Sequence, residues 1–304
     1  MTARSSWPEQ PPRRFGMVTP SPDFETGLQL LLESDTDILK TRPRRRETIM
    51  RARFGLCACC LVTALSAAAD CGTMVSFQSG NDHVQARLCV PAGRGPFPAL
   101  VLVHPRDGLN QWMEGQALQV AAAGYVALAV DLFRGKLPRT AEERAEIART
   151  TPEGQRERDV QAAVHFLRKH SSVRPDLIGV MGWCMGGTYA FRLAVADPAL
   201  RVAVIRYGNV FGDPKEVNNP ITVKKINARV LGIFGGKDER IPLTNVRRFE
   251  DQMKGFGKAV EIVVYPEAGH AFEVPGSSAG YRADDTADAW KRTITFLRMN
   301  LAQR

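Results

Sequence analysis

The sequence has little of what metal and redox centres are built from. Its 304 residues include only five histidines and six cysteines. They do not assemble into the complete pattern of a zinc site, in which one close ligand pair is followed at short distance by a second. There is no glycine-rich phosphate loop ending in Lys-Ser/Thr and no dinucleotide fingerprint, so no cofactor and no metal are expected. Long apolar runs are scarce too. Phe54 to Leu65 is too short for a comfortable bilayer crossing, and no stable membrane span is expected in the mature chain. The formal net charge is +9, but basic and acidic residues are interspersed. Without a basic stripe interleaved with aromatics, that charge reads as an ordinary solvated surface and not as a nucleic-acid footprint. No internal repeat occurs, and no domain-scale linker follows residue 70.

The first seventy residues differ in texture from the rest. Residues 1–49 are rich in proline and carry the basic run Arg42-Pro-Arg-Arg-Arg46. They read as a disordered or untranslated extension. A second pattern opens at Met50. Arg51 and Arg53 form a positive segment, Phe54 to Leu65 an apolar one, and Ser66-Ala-Ala-Ala69 a small-residue cleavage signal. Residues 50–69 therefore read as a signal peptide, and the mature chain is expected to start near Asp70, in the periplasm or outside the cell. Residues 70–304 are long enough for one sizeable core.

Three cysteines lie beyond this leader: Cys71, Cys89 and Cys184. Thr73 to Gln78 and His83 to Val90 read as the arms of a hairpin turning at Ser79-Gly-Asn-Asp82. A turn centred near residue 80 sets Cys71 and Cys89 nearly opposite each other. A Cys71–Cys89 disulfide is expected in an oxidising compartment. Cys184 is then the single unpaired thiol.

After the hairpin, strand and helix patterns alternate. Leu100 to His104 and Tyr125 to Val130 are continuous apolar runs, as in strands buried on both faces. Leu177 to Met181, Val202 to Tyr207, Ala228 to Phe234 and Ala259 to Tyr265 continue the strand series. Helical patterns fall at Gly108 to Ala123, Ala141 to Thr150, Glu153 to His170, Thr188 to Val195, Leu243 to Phe256 and Tyr281 to Leu301. The expected fold is α/β: a mainly parallel sheet covered by helices on both faces, with an N-terminal antiparallel hairpin.

The chemistry is concentrated at Gly182-Trp-Cys-Met-Gly186. A strand pattern runs into it and a helical pattern leaves it at once. This is the nucleophile elbow, Gly-x-nucleophile-x-Gly, with Cys184 as nucleophile. The glycines are needed because side chains there would collide with neighbouring backbone. The helix N-terminus behind the sulfur favours a thiolate. A cysteine nucleophile needs a base, and the base an orienting acid. His270 follows the strand Ala259 to Tyr265 in a glycine-containing loop, where the base of such a sheet belongs. Asp238 follows the strand ending at Phe234 and is the acid candidate, with Glu239 next door as the competing carboxylate and Asp213 as a weaker one. The backbone N–H groups of Met185 and Arg106 are the expected oxyanion hole; Pro105 has no N–H to offer. His104 reads as structural. Gly276-Ser-Ser-Ala-Gly280 matches Gly-x-Ser-x-Gly literally, but no strand precedes it, so Ser278 is not expected to be a nucleophile.

Together these segments resemble the dienelactone hydrolase family of α/β-hydrolases. The likeness rests on Gly182 to Gly187, Asp131-Leu-Phe-Arg134 and Gly108-Leu-Asn110, and covers about residues 72–300. It implies an α/β-hydrolase fold and a Cys184, Asp238, His270 triad that cleaves a small ester or lactone substrate through a thioester. Two positions depart from the family pattern. Pro105 stands where studied members carry a glutamate, and Val274 stands near the place of an arginine that binds a substrate carboxylate. Arg134 and Arg106 are the remaining candidates to meet an anionic group. The alternatives are a broad short-chain carboxylesterase, or a secreted binding protein that keeps the fold without catalysis.

Overall fold

Residues 70–211 and 223–301 are described in a computed structural model of the chain. The proposed extension and leader (1–69) and Asp213 lie outside the described residues.

Runs of β-branched and aliphatic residues build eight strands that share one sheet. They are β1 (Asp70–Ser79), β2 (Asp82–Val90), β3 (Phe97–Val103), β4 (Val126–Val130), β5 (Val173–Trp183), β6 (Val202–Arg206), β7 (Arg229–Gly235) and β8 (Val260–Tyr265). Their order is β1-β2-β4-β3-β5-β6-β7-β8. β1 and β2 pair antiparallel, as does β2 with β4; every later pairing is parallel. The hairpin register sets Cys71 opposite Cys89, as its turn position predicts.

Among the described residues six helices cover the sheet: α1 (Gln111–Ala122), α2 (Ala141–Thr150), α3 (Glu153–Lys169), α4 (Met185–Ala196), α5 (Leu243–Gly255) and α6 (Ala283–Leu301). Their ends follow local chemistry. Asn110 caps α1 by accepting the N–H of Met113, and Thr140 with Glu143 forms a reciprocal capping box on α2. The apolar stripe of α5, Val246, Phe249 and Met253, recurs at helical spacing and is buried. The sheet separates two apolar clusters. One face packs against α3, α4 and α5, the other against α1 and α6. β4 and β6 are buried from end to end and β3 from Pro98 onward, which explains their almost wholly apolar sequence.

Strand and helix limits fall close to the sequence reading. The elbow strand is longer than expected: β5 begins at Val173 and runs through Trp183. The first helix is shorter, because Gly108 and Leu109 belong to the turn that leads to the Asn110 cap. Among the described residues no helix is long and apolar enough to cross a membrane.

Candidate active site

Parallel strands deliver their C-terminal ends to one edge of a sheet, and the loops there collect side chains from distant parts of the sequence. Cys184 stands at that edge, between β5 and α4, with φ of +53°. Such a backbone costs about 1–3 kcal/mol in a non-glycine residue and needs a surrounding structure that enforces it. Glycine makes the turn possible. A Cβ on Gly182 would lie 2.0 Å from the carbonyl oxygen of Gly186. A Cβ on Gly186 would lie 2.0 Å from the carbonyl oxygen of Val103, so α4 begins in direct backbone contact with the end of β3. That contact sets the turn after β3, with Arg106, beside the elbow.

His270 lies in the loop after β8. Its Nε2 is 3.0 Å from the Cys184 sulfur, and its Nδ1 is 2.7 Å from Asp238 Oδ2. Asp238 follows β7, with its side chain fully buried. Its second oxygen accepts the N–H groups of Arg240 and Ile241 at 2.9 and 3.2 Å. The carboxylate is thus fixed from one side by its own turn and faces the imidazole with the other. Three residues spread over 86 positions of sequence are joined into one hydrogen-bonded line. Burial by itself disfavours the charged imidazole of His270. The hydrogen bonds to Asp238 and Cys184 outweigh that, and its pKa is pushed up to about 9. At neutral pH the ring therefore holds a proton and presents a cation to the sulfur.

The other candidates separate clearly. Glu239 is exposed on the turn beside Asp238 and takes no part in the line. Met185 is the first residue of α4, so its N–H has no acceptor within the helix. Arg106 is exposed in the turn after β3. His104 is wholly buried, with Nε2 accepting the N–H of Leu132 at 3.1 Å and Nδ1 facing the Pro105 carbonyl at 2.6 Å. Burial lowers its pKa, so it remains neutral and ties the β3 turn to the end of β4. Arg134 is engaged with the buried carboxylate of Asp159 at 2.8 Å. Ser278 is exposed in a loop with no strand before it.

Beneath the line lies a buried polar cluster that sequence reasoning missed. Arg206, at the end of β6, donates to Glu273 Oε1 at 2.5 Å and to Thr293 Oγ1 at 2.6 Å. Glu273 Oε2 accepts the indole N–H of Trp183 at 2.9 Å. One signal was present: Arg206 is a lone charge at the end of an apolar strand run.

Residues 84–301 match the model of the dienelactone hydrolase family. The chain belongs to that family. A Methylorubrum extorquens protein assigned as a carboxymethylenebutenolidase is 32% identical over 223 residues, spanning 71% of this chain and 76% of the relative. A Bradyrhizobium protein assigned as a 2-oxo-3-(5-oxofuran-2-ylidene)propanoate lactonase is 34% identical over 223 residues, 71% of this chain and 89% of that one. The fold is shared with a crystal structure described as a dienelactone hydrolase from Klebsiella pneumoniae. That match has a TM-score of 0.68 and 25% identity, covering 78% of this chain and all of the other. It is shared also with the Anabaena variabilis dienelactone hydrolase, at a TM-score of 0.57 and 22% identity over 77% of this chain and 99% of that one.

Proposed function

We propose that the protein hydrolyses a small carboxylic ester or lactone, with Cys184 as nucleophile, His270 as acid and base, and Asp238 as its orienting group. The observation that carries this reading is the unbroken line from Asp238 through both nitrogens of His270 to the Cys184 sulfur, at 2.7 and 3.0 Å. In the first half-reaction the thiolate attacks the carbonyl carbon. The oxygen becomes an oxyanion held by the N–H groups of Met185 and Arg106. Collapse breaks the acyl C–O bond, and the departing alkoxide takes the proton from His270. This leaves a thioester on Cys184 and, for a lactone, a tethered alcohol. Neutral His270 then removes a proton from water, and the hydroxide attacks the thioester. The acid leaves, and the thiolate and imidazolium are restored.

The names carried by the relatives support a lactone, and two positions shape which one. Val274 supplies no cation, and Arg134 is already neutralised by Asp159. Of the cations considered, that leaves Arg106 alone, exposed in the turn after β3, to meet a substrate carboxylate, and a neutral short-chain ester is the second reading. The charge pattern of residues 50–69 supports export of the mature chain to the periplasm or beyond. The facing positions of Cys71 and Cys89 support a disulfide between them there.

The test is Cys184→Ala assayed on aryl acetates and a panel of small lactones. Loss of the nucleophile is expected to lower kcat by several orders of magnitude, as in other triads. Hydrolysis at the wild-type rate would refute the assignment.

A further inference from the structure

Four non-glycine residues among those described have positive φ: Arg134, Cys184, Tyr207 and Ala271. Three of them surround the reacting groups. Cys184 carries the sulfur. Ala271 follows His270. Tyr207 sets its ring edge-on to the His270 imidazole, with the centroids 5.4 Å apart. Backbones of this kind relax unless something holds them.

Each of the three has a member of the buried cluster within two residues of it in the chain. Trp183 immediately precedes Cys184, Arg206 immediately precedes Tyr207, and Glu273 comes two residues after Ala271. Glu273 joins the other two through separate oxygens, one to the Arg206 guanidinium and one to the Trp183 indole. The guanidinium also lies over the Trp183 ring at 5.4 Å, and its remaining bond reaches Thr293 in α6. The main chain adds a link, since the Arg206 carbonyl accepts the Cys184 N–H at 3.0 Å. The nucleophile's strand, the neighbouring strand and the base's loop therefore meet at a single carboxylate.

Stability alone does not account for an ion pair placed this deep. Both side chains are 2% exposed, and desolvating two charges offsets most of their attraction. An apolar cluster of the same volume would hold the three segments at least as firmly. It would not fix their orientation, because apolar contacts are non-directional whereas this carboxylate and guanidinium accept and donate along set directions.

We propose that Glu273, Trp183 and Arg206 form a positioning device that holds the His270 imidazole and the Cys184 sulfur in register. Glu273 is its central residue. None of the three needs to touch substrate. The proposal rests on the Cys184–His270 reading given above.

Two variants of the full mature chain test it. Trp183→Phe keeps an aromatic ring beside Arg206 and removes the indole donor together with part of the buried ring's volume; Glu273→Gln keeps the shape and removes the charge. Cys184 alkylation by iodoacetamide is followed at pH 7 and pH 10, alongside kcat, KM and Tm. The groups facing His270 are Asp238, Cys184 and the Tyr207 ring, with Glu273 and Arg206 behind them. At pH 7 the reactivity of the sulfur draws on the His270 contact at 3.0 Å, whereas in strong base alkylation does not need that contact.

For each folded variant, kcat is expected to fall tenfold or more with KM within twofold. Alkylation is expected to slow several-fold at pH 7 and to stay unchanged at pH 10. Should Glu273→Gln fail to fold with its guanidinium unpaired, Trp183→Phe decides. A folded Trp183→Phe with wild-type kcat and wild-type alkylation at both pH values, whatever its Tm, would overturn the proposal. The alkylation ratio needs no substrate, so it stands apart from the hydrolysis lost or kept in Cys184→Ala.

Discussion

Replacing Asp238 by Asn changes one atom type in a fully buried side chain and leaves its shape intact. The amide oxygen can still accept the N–H groups of Arg240 and Ile241, which occupy Oδ1 in the wild type. The NH2 group is then aimed at His270 Nδ1, 2.7 Å away. Two donors cannot face each other there. The ring must give up its Nδ1 proton and carry the proton on Nε2, pointing at the sulfur 3.0 Å away. In that tautomer it cannot take a proton from the thiol or from water.

The size of the effect follows from two contributions. An imidazole raised from 6.5 to about 9 has its charged form stabilised by about 3 kcal/mol, at roughly 1.4 kcal/mol per pH unit. Cys184 supplies part of this, so losing Asp238 alone removes on the order of 2 kcal/mol, or more than tenfold in rate. The wrong tautomer adds the rest, and the expected fall in kcat is about 10⁴-fold, as in other triads with the same change. The assay is kcat from pH 5 to 10 on the best ester or lactone from the panel, with folding checked by denaturation. Stability carries its own signature. The contribution of a raised histidine is complete below about pH 6.5 and is lost as pH rises through about 9. Asp238→Asn should flatten that alkaline decline. A folded variant with kcat within tenfold of wild type would show that Asp238 does not orient His270.

Further outcomes follow from the same geometry. Gly186→Ala would put a methyl group 2.0 Å from the Val103 carbonyl oxygen and 2.8 Å from that of His104. We expect a loss of about 3 kcal/mol in urea unfolding and roughly 100-fold in kcat, because the elbow and the β3 turn are driven apart; wild-type values for both would contradict the packing described. Burial of neutral His104 predicts acid sensitivity. Its lowered pKa means that the unfolded chain takes up a proton near pH 6.5 and the folded chain does not, so stability falls as pH drops below that value. His104→Gln should make the acid limb of stability shallower by up to about 1.4 kcal/mol per pH unit, and identical acid limbs would rule out this role.

Much of this architecture was legible because its signals are local. A strand buried on both faces must be apolar throughout, and Leu100 to Val103 and Val126 to Val130 are. A strand-to-helix turn with a side chain on a positive-φ backbone needs small neighbours, and Gly182 and Gly186 provide them. The chain order of Cys184, Asp238 and His270 was informative because parallel strands place their C-terminal loops at one edge. Sequence therefore set the strand and helix pattern, the elbow and the three residues worth joining.

Tertiary structure decided which groups meet. Arg134, a candidate for an anionic substrate in the sequence, is paired with Asp159 because α3 packs its buried carboxylate against that turn. Glu239 and Asp238 are adjacent and chemically alike, yet only Asp238 points inward, where its turn N–H groups and His270 receive it. Trp183, Arg206, Glu273 and Thr293 carry no shared motif. They come together because β5, β6, the loop after β8 and α6 converge below the sulfur. Periodicity and spacing report on neighbours along one element, so they fixed the elements and the order of the site. A buried carboxylate chooses its partners by desolvation and direction across the whole fold, and that choice is made only when the strands are side by side.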